Sequence, residues 1–167
     1  MDNSQIIEDK YSEAVSGIKE EWLTHASNEW YDYIMSLPIE WRTTYVVVVF
    51  HNQVFNGGMH QYFVNGYGQF AKETVDALIR IGALEKASLL ITALELVNTE
   101  DHTDEIFRRK LLTADIEQLF ITDELFKPLN NLDLLYYNDE HEDIKMLLGK
   151  YLNSRLKNLG GKDDEVN

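Results

Sequence analysis

The fold class of this chain depends on one apolar stretch, Thr43-Thr44-Tyr45-Val46-Val47-Val48-Val49-Phe50. Its β-branched content is typical of a buried strand. The sequence contains no second stretch of similar strength, however, and a lone strand has no neighbour with which to pair its backbone. We therefore predict a fully buried helix from about Glu40 to Phe55.

Helical periodicity continues on both sides of this stretch. Apolar residues recur at steps of three and four from Ile7 to Leu37, which predicts one long N-terminal amphipathic helix that ends at Leu37-Pro38. Further helices are predicted over 76–81 with Gly82 as the stop, over 87–97, after Thr103, from 116 to about Pro128, and from 138–140 to Gly160-Gly161. The predicted fold is all-α, with a single compact multi-helix domain over 1–161 and a mobile acidic tail over 162–167.

Composition narrows the class of protein. The chain has 167 residues, of which 44% are hydrophobic and 26% are charged, and this balance excludes wholesale disorder. The absence of cysteine excludes disulfides and thiolate metal sites. No apolar run is long enough to span a bilayer, and the sequence after Met1 lacks the basic and apolar regions of a signal peptide. We expect a soluble cytoplasmic protein that does not bind membranes.

The charge is strongly negative and unevenly distributed. Acids number 29 against 15 lysines and arginines, for a formal charge of −14. Residues 1–40 carry −7, residues 41–90 carry +1 and residues 91–167 carry −8. Direct binding to DNA or RNA is disfavoured, because these partners are held by clustered cations. The acidity either serves solubility alone or forms an anionic surface for a basic partner.

The most unusual local sequence is Phe55-Asn56-Gly57-Gly58-Met59-His60-Gln61-Tyr62-Phe63-Val64-Asn65. Two adjacent glycines permit positive φ angles and close approach of the backbone, so they predict a tight turn between two helices. The nearby amides either cap helix ends around this turn or line a small polar pocket together with His51 and His60.

Motifs for catalysis or metal binding are missing from the sequence. It has no nucleophile elbow, no phosphate loop and no dinucleotide fingerprint. The clusters at 100–105 and 139–143 mix carboxylates with histidine, but neither has the spacing of a calcium loop or a zinc site. We therefore predict no catalytic residue, no metal site, no cofactor and no enzymatic activity.

The middle of the chain resembles a known family. Leu37-Pro38, the apolar helix to Phe55, the run Asn-Gly-Gly-x-x-Gln-Tyr-Phe-x-Asn and Ala77-Leu78-x-x-Ile81-Gly82-Ala83 together resemble the bacterial DNA-mimic protein family, over residues 37–97. The resemblance implies an all-helical domain whose surface carboxylates imitate DNA phosphates. Such a protein would bind the DNA-binding face of a transcription factor or other basic protein, as a homodimer.

Two acidic rows and a C-terminal cluster are candidates for this surface, because acids three and four residues apart lie close together on a helix. The predicted partner-binding residues are Asp9, Glu13, Glu20, Glu21 and Asp32 in the first row, Asp101, Asp104, Glu105, Asp115 and Glu117 in the second, and Asp139, Glu140, Glu142 and Asp143 in the cluster. The motif residues Asn56, Gly57, Gly58, Gln61, Tyr62, Phe63 and Asn65 are expected to be structural.

Two other interpretations stay open. One is an acidic immunity-type inhibitor of a basic effector such as a nuclease, which differs from a DNA mimic only in its partner. The other is a ligand-binding or enzymatic domain that uses the polar turn from Asn56 to Asn65.

Overall fold

The apolar stretch from Thr43 to Phe50 is helical in a computed structural model that describes residues 2–24 and 26–160. The helices are α1 (Asn3–Val15), α2 (Glu29–Ser36), α3 (Ile39–Val64), α4 (Ala71–Ile81), α5 (Leu84–Val97), α6 (Asp104–Leu112), α7 (Glu117–Phe120), α8 (Phe126–Asn138) and α9 (Ile144–Gly160). Short 3-10 turns follow α1 at Glu20–Leu23 and α3 at Tyr67–Phe70. The described residues contain no strand, and the all-α prediction is confirmed.

Helix α3 forms the centre of the core. It packs against α1, α4, α8 and α9, so that apolar neighbours surround it on most sides. Tyr45, Val46, Val47 and Phe50 are at most 2% exposed. A helix that is apolar all round is stable in this position, since the burial of its side chains outweighs the weak helix propensity of valine.

The prediction of a single long N-terminal helix is wrong. Helix α1 ends at Val15, and the chain turns before α2 begins. The Tyr33 hydroxyl closes this turn, because it donates to Ala14 O at 2.9 Å and accepts from Gly17 N at 3.2 Å. A side chain at position 17 would meet the Tyr33 ring, so glycine is needed here for close approach. Apolar steps of three and four continue through the turn and conceal it.

Helix α8 is absent from the predicted elements. The piece expected to end near Pro128 is the short α7, and Pro128 lies in the first turn of α8 instead. A proline is tolerated there because first-turn N–H groups have no intrahelical acceptor. The last helix accordingly starts at Ile144, later than predicted. The predicted tail over 162–167 lies outside the described residues.

The end of α4 agrees with its prediction. Gly82 adopts φ +89°, and the next residue, Ala83, donates its N–H to Leu78 O at 2.8 Å. This left-handed glycine cap satisfies carbonyls at the helix end and turns the chain into α5. In the part of the chain that is described, no helix is both long and apolar enough to cross a bilayer.

Candidate partner-binding surface

The Gly-Gly motif forms a kink inside α3 rather than a turn between separate helices. Gly58 has φ +80° and ψ 178°, while helical geometry resumes on both sides. Beyond the kink, Met59 N donates to the Asp133 carboxylate at 2.8 Å. A Cβ at Gly58 would clash with that same carboxylate, lying 3.0 Å from its carbon. The glycine therefore lets Asp133 of α8 cap the second half of α3.

The other motif side chains are bonded within the fold. The amides of Gln61 and Asn65 both donate to Gln53 Oε1, at 3.2 and 3.1 Å. Tyr62 is buried and its hydroxyl lies 3.2 Å from Thr74 Oγ1. Phe63 is also buried, while Asn56 and Gly57 are exposed. These bonds favour a structural role for the motif over a ligand pocket.

The two histidines near the motif have separate neighbours. His51 Nδ1 lies 2.8 Å from the Tyr136 hydroxyl, and burial lowers the pKa of His51. His60 Nε2 lies 3.3 Å from Leu119 O. The expected polar pocket that would join these imidazoles to the motif amides is therefore not formed by these contacts.

Asp133 is a structural position that was not predicted from the sequence. Its residue is 4% exposed, and burial raises the pKa of its carboxyl, although the Met59 N–H and the nearby His60 oppose that rise. A signal was present in the sequence: Asp133 interrupts the apolar run of α8, and buried carboxylates are rare unless they are bonded.

The C-terminal acidic cluster contains a buried ion pair. Asp139 Oδ2 lies 2.6 Å from Lys86 Nζ, and the two side chains are only 6% and 3% exposed. The ammonium also lies 4.5 Å from the centre of the Tyr136 ring, within cation–π range. Burial alone would raise the pKa of Asp139, but the hydrogen bond and charge of Lys86, together with the backbone N–H groups of His141 and Glu142, lower it.

Two further carboxylates of this cluster cap helices. The oxygens of Glu142 accept from Glu85 N at 2.7 Å and from Lys86 N at 2.9 Å, at the start of α5. Asp143 Oδ1 accepts from Met146 N at 2.8 Å, in the first turn of α9. These bonds leave Glu140 as the exposed member for which the described residues provide no bonded partner.

The first acidic row is spread over three elements, because the long helix that would have aligned it does not exist. Asp9 and Glu13 lie on α1, where they bond to Gln5 at 2.8 Å and to Lys10 at 2.7 Å. Its other members are Glu20 and Glu21, which lie in the 3-10 turn, and Asp32, which lies on α2. The row is not a continuous line of charge.

The second row is brought together around α6. Asp115 and Glu117 line a cavity of about 200 Å³ together with Glu100. Asp101 and Asp104 line a neighbouring cavity of about 210 Å³ together with Glu95. We call this region the α6 acidic surface, defined by Glu95, Glu100, Asp101, Asp104, Glu105, Asp115 and Glu117. Glu95 was not among the predicted residues, because it lies in the largely apolar second half of α5.

Hydrogen bonds and a buried ring hold the loop that carries two of these carboxylates. Asn98 borders both cavities and braces the loop between α5 and α6, donating to His102 O at 3.0 Å and accepting from His102 N at 3.1 Å. Phe107 also borders both cavities and is buried below them. The loop that carries Glu100 and Asp101 is thus anchored at both ends.

Some charges on the surface are paired and others are not. Asp104 lies 2.6 Å from Lys72, and Asp115 lies 3.3 Å from Lys110. Exposed pairs of this kind contribute little to stability and dissociate readily when a partner offers a cation. Glu95, Asp101, Glu105 and Glu117 are exposed, and the described part of the chain offers them no bonded cation.

Comparison with known proteins identifies a matching family. A family model described as DMP19-like protein matches residues 35–155. No curated protein and no solved structure matches the chain. Among the described residues, no group of three or more histidine, aspartate or glutamate side chains is placed to hold a metal ion.

Proposed function

The chain belongs to the DMP19-like protein family, a family of DNA mimics, and we propose from this premise that it is a non-enzymatic DNA mimic. In this proposal the α6 acidic surface occupies the DNA-binding face of a basic protein, such as a transcription factor. Its carboxylates take the place of phosphates and compete with the duplex.

The observation that carries the proposal is the concentration of exposed carboxylates around α6. Residues 95–124 contain nine acids against three bases, and six of those acids line two adjoining cavities. A DNA duplex likewise presents closely spaced negative charge, with a phosphate about every 3.4 Å along each strand.

The location of the other acids directs the proposal to this surface. The C-terminal cluster is largely bonded to α5, α9 and Lys86, and the first row is divided among three elements. Only the second row combines exposure, proximity and unpaired charge. The bonded state of Gln61 and Asn65 supports a protein without an active site at the motif.

The test is affinity capture from native lysate, followed by a salt gradient and by competition with DNA. We expect a DNA-binding protein that is held at low salt, released as salt rises and displaced by its own DNA site, because screening weakens exposed charge contacts. A test variant, Asp101→Asn with Glu105→Gln and Glu117→Gln, removes three unpaired charges from the α6 acidic surface and should abolish capture.

A matched control variant separates this surface from net charge. Asp9→Asn with Glu13→Gln and Glu20→Gln removes an equal number of charges from the first acidic row, and this variant should still capture the partner. Equal loss in both variants would contradict the proposal, since the acidity would then act only as total charge. Capture of a nuclease that DNA does not displace would instead identify an immunity-type inhibitor.

A further inference from the structure

The cavity that Asp101 and Glu95 share lies between α4, α5 and α6, and it is open to solvent. We propose that it binds one arginine side chain, which the basic partner inserts as an anchor. This inference rests on the proposed function, and it adds the chemical group that the surface recognises. The cavity is about 210 Å³, smaller than the roughly 300–1,000 Å³ of a typical small-molecule site, and so fits a single side chain.

A buried acceptor without a donor lies in the cavity wall. Gln69 is 4% exposed, and its Nε2 donates to Gly66 O at 3.0 Å, which fixes the orientation of the amide. Gln69 borders this cavity as well as the one that Gly66 lines. Within the described residues, Oε1 has no hydrogen-bond donor. A buried acceptor left unpaired is destabilising, and a ligand N–H would satisfy it.

Two carboxylates of the cavity wall have no bonded cation among the described residues. Asp104 is paired with Lys72, and Glu73 forms ion pairs at 3.2 Å with Arg42 and 3.6 Å with Arg80, without hydrogen-bond alignment. The unpaired charges are the carboxylates of Glu95 and Asp101 and the guanidinium of Arg108, which stacks on Tyr31 at 3.8 Å. Glu95 and Asp101 are therefore the carboxylates of the wall that a ligand cation can bond.

The shape of the lining favours guanidinium over ammonium. A guanidinium presents five N–H donors in one plane, so it can donate to several acceptors of the wall at once. Leu94 and Phe107 supply apolar wall against which the three methylene groups of arginine pack. A lysine ammonium is a compact, strongly hydrated charge and meets fewer of these acceptors.

The probe for this site is L-arginine methyl ester, titrated into the ¹⁵N-labelled protein and followed by NMR. L-norleucine methyl ester carries the same ester and α-amine on an uncharged side chain, so it isolates the guanidinium. We expect saturable shifts of the Gln69 side-chain amide and of the Asn98 backbone with the arginine ester, and at least tenfold weaker binding of the norleucine ester. Equal binding of the two esters would overturn the inference.

Single variants test the position of the site. Glu95→Gln and Asp101→Asn should each weaken binding of the arginine ester by about tenfold, the usual scale of a lost charge-assisted hydrogen bond. Glu117→Gln is the matched control, because it removes an equal charge from the α6 acidic surface outside this cavity. Equal effects of all three variants, or a crystal soaked with the ester in which Gln69 Oε1 is satisfied by ordered water alone, would refute the site.

The partner-capture experiment and the probe-binding experiment test different proposals, and either can fail without the other. Partner capture that falls no further in Glu95→Gln than in Glu117→Gln would retain the DNA-mimic proposal and overturn the arginine anchor. Probe binding that depends on Glu95 and Asp101, in a protein that captures no basic partner, would retain the cavity as a guanidinium site and overturn the proposed function.

Discussion

Substitution of the kink glycine tests the most specific contact in the fold. Gly58→Ala places a side chain at φ +80° and ψ 178°, a region used almost only by glycine, at a cost of about 1–3 kcal/mol. The new Cβ also displaces the Asp133 carboxylate that caps the second half of α3, which adds about 1–3 kcal/mol. We expect a free energy of unfolding about 3 kcal/mol lower, and a Tm about 6–12 °C lower.

Urea unfolding followed by circular dichroism measures this change, with Gly57→Ala as the matched control. The side chain added at position 57 lies 3.0 Å from Gln61 Cβ and displaces the Gln61 amide from Gln53, while alanine regains about 1 kcal/mol of helix propensity. Gly57→Ala should therefore be nearly neutral. Combining Gly58→Ala with Asp133→Ala should cost less than the sum of the two changes, since they share one contact. A Gly58→Ala variant as stable as Gly57→Ala would refute the account of the kink.

Three further predictions concern the buried carboxylates. Asp139→Asn should lower the free energy of unfolding by about 3 kcal/mol in urea titrations, because it leaves the Lys86 ammonium buried without its partner. Glu142→Ala should cost about 1–2 kcal/mol in the same assay, through loss of the cap on α5, whereas Glu140→Ala should be neutral. Asp133→Asn should gain stability relative to wild type at pH 7, and the gain should disappear as the pH falls.

The sign of the last prediction follows from linkage. The pKa of Asp133 is raised by burial, so the native state holds its proton more tightly than the unfolded chain, and ionisation above that pKa destabilises the fold. Asp139 has the opposite sign: its lowered pKa gives stability above the unfolded value, and that stability is lost as pH falls through the native pKa. A stability difference between Asp133→Asn and wild type that is flat from pH 7 to pH 4 would contradict the burial of an ionised carboxylate.

Much of the helical architecture was predictable because a helix that is buried on one face has apolar residues at steps of three and four in its sequence. The valine run of α3 required a decision between strand and helix, and the absence of a partner strand was sufficient. The break after Val15 was not predictable, since it depends on a hydroxyl sixteen residues away from Gly17. The start of α8 was missed because a proline marks a helix end and a helix start equally well.

The candidate surface was predictable only in part. Spacing identified the acidic residues, but it did not distinguish a carboxylate that caps a helix in a distant part of the chain from one that faces solvent. Glu142 bonds α5 from 57 residues away, and no local pattern reports that contact. Gln69 was likewise invisible, since the significance of its amide comes from burial and an unmet acceptor.

The buried pair of Lys86 and Asp139 has a consequence for how this protein can diverge. Substitution of Asp139 leaves the Lys86 ammonium buried next to the Tyr136 ring without a counter-charge. A change at Asp139 must therefore be accompanied by a change at Lys86. The exposed carboxylates around α6 have no buried partner that would have to change with them. If the proposed function holds, substitutions confined to the α6 acidic surface can therefore exchange one basic partner for another without altering the core.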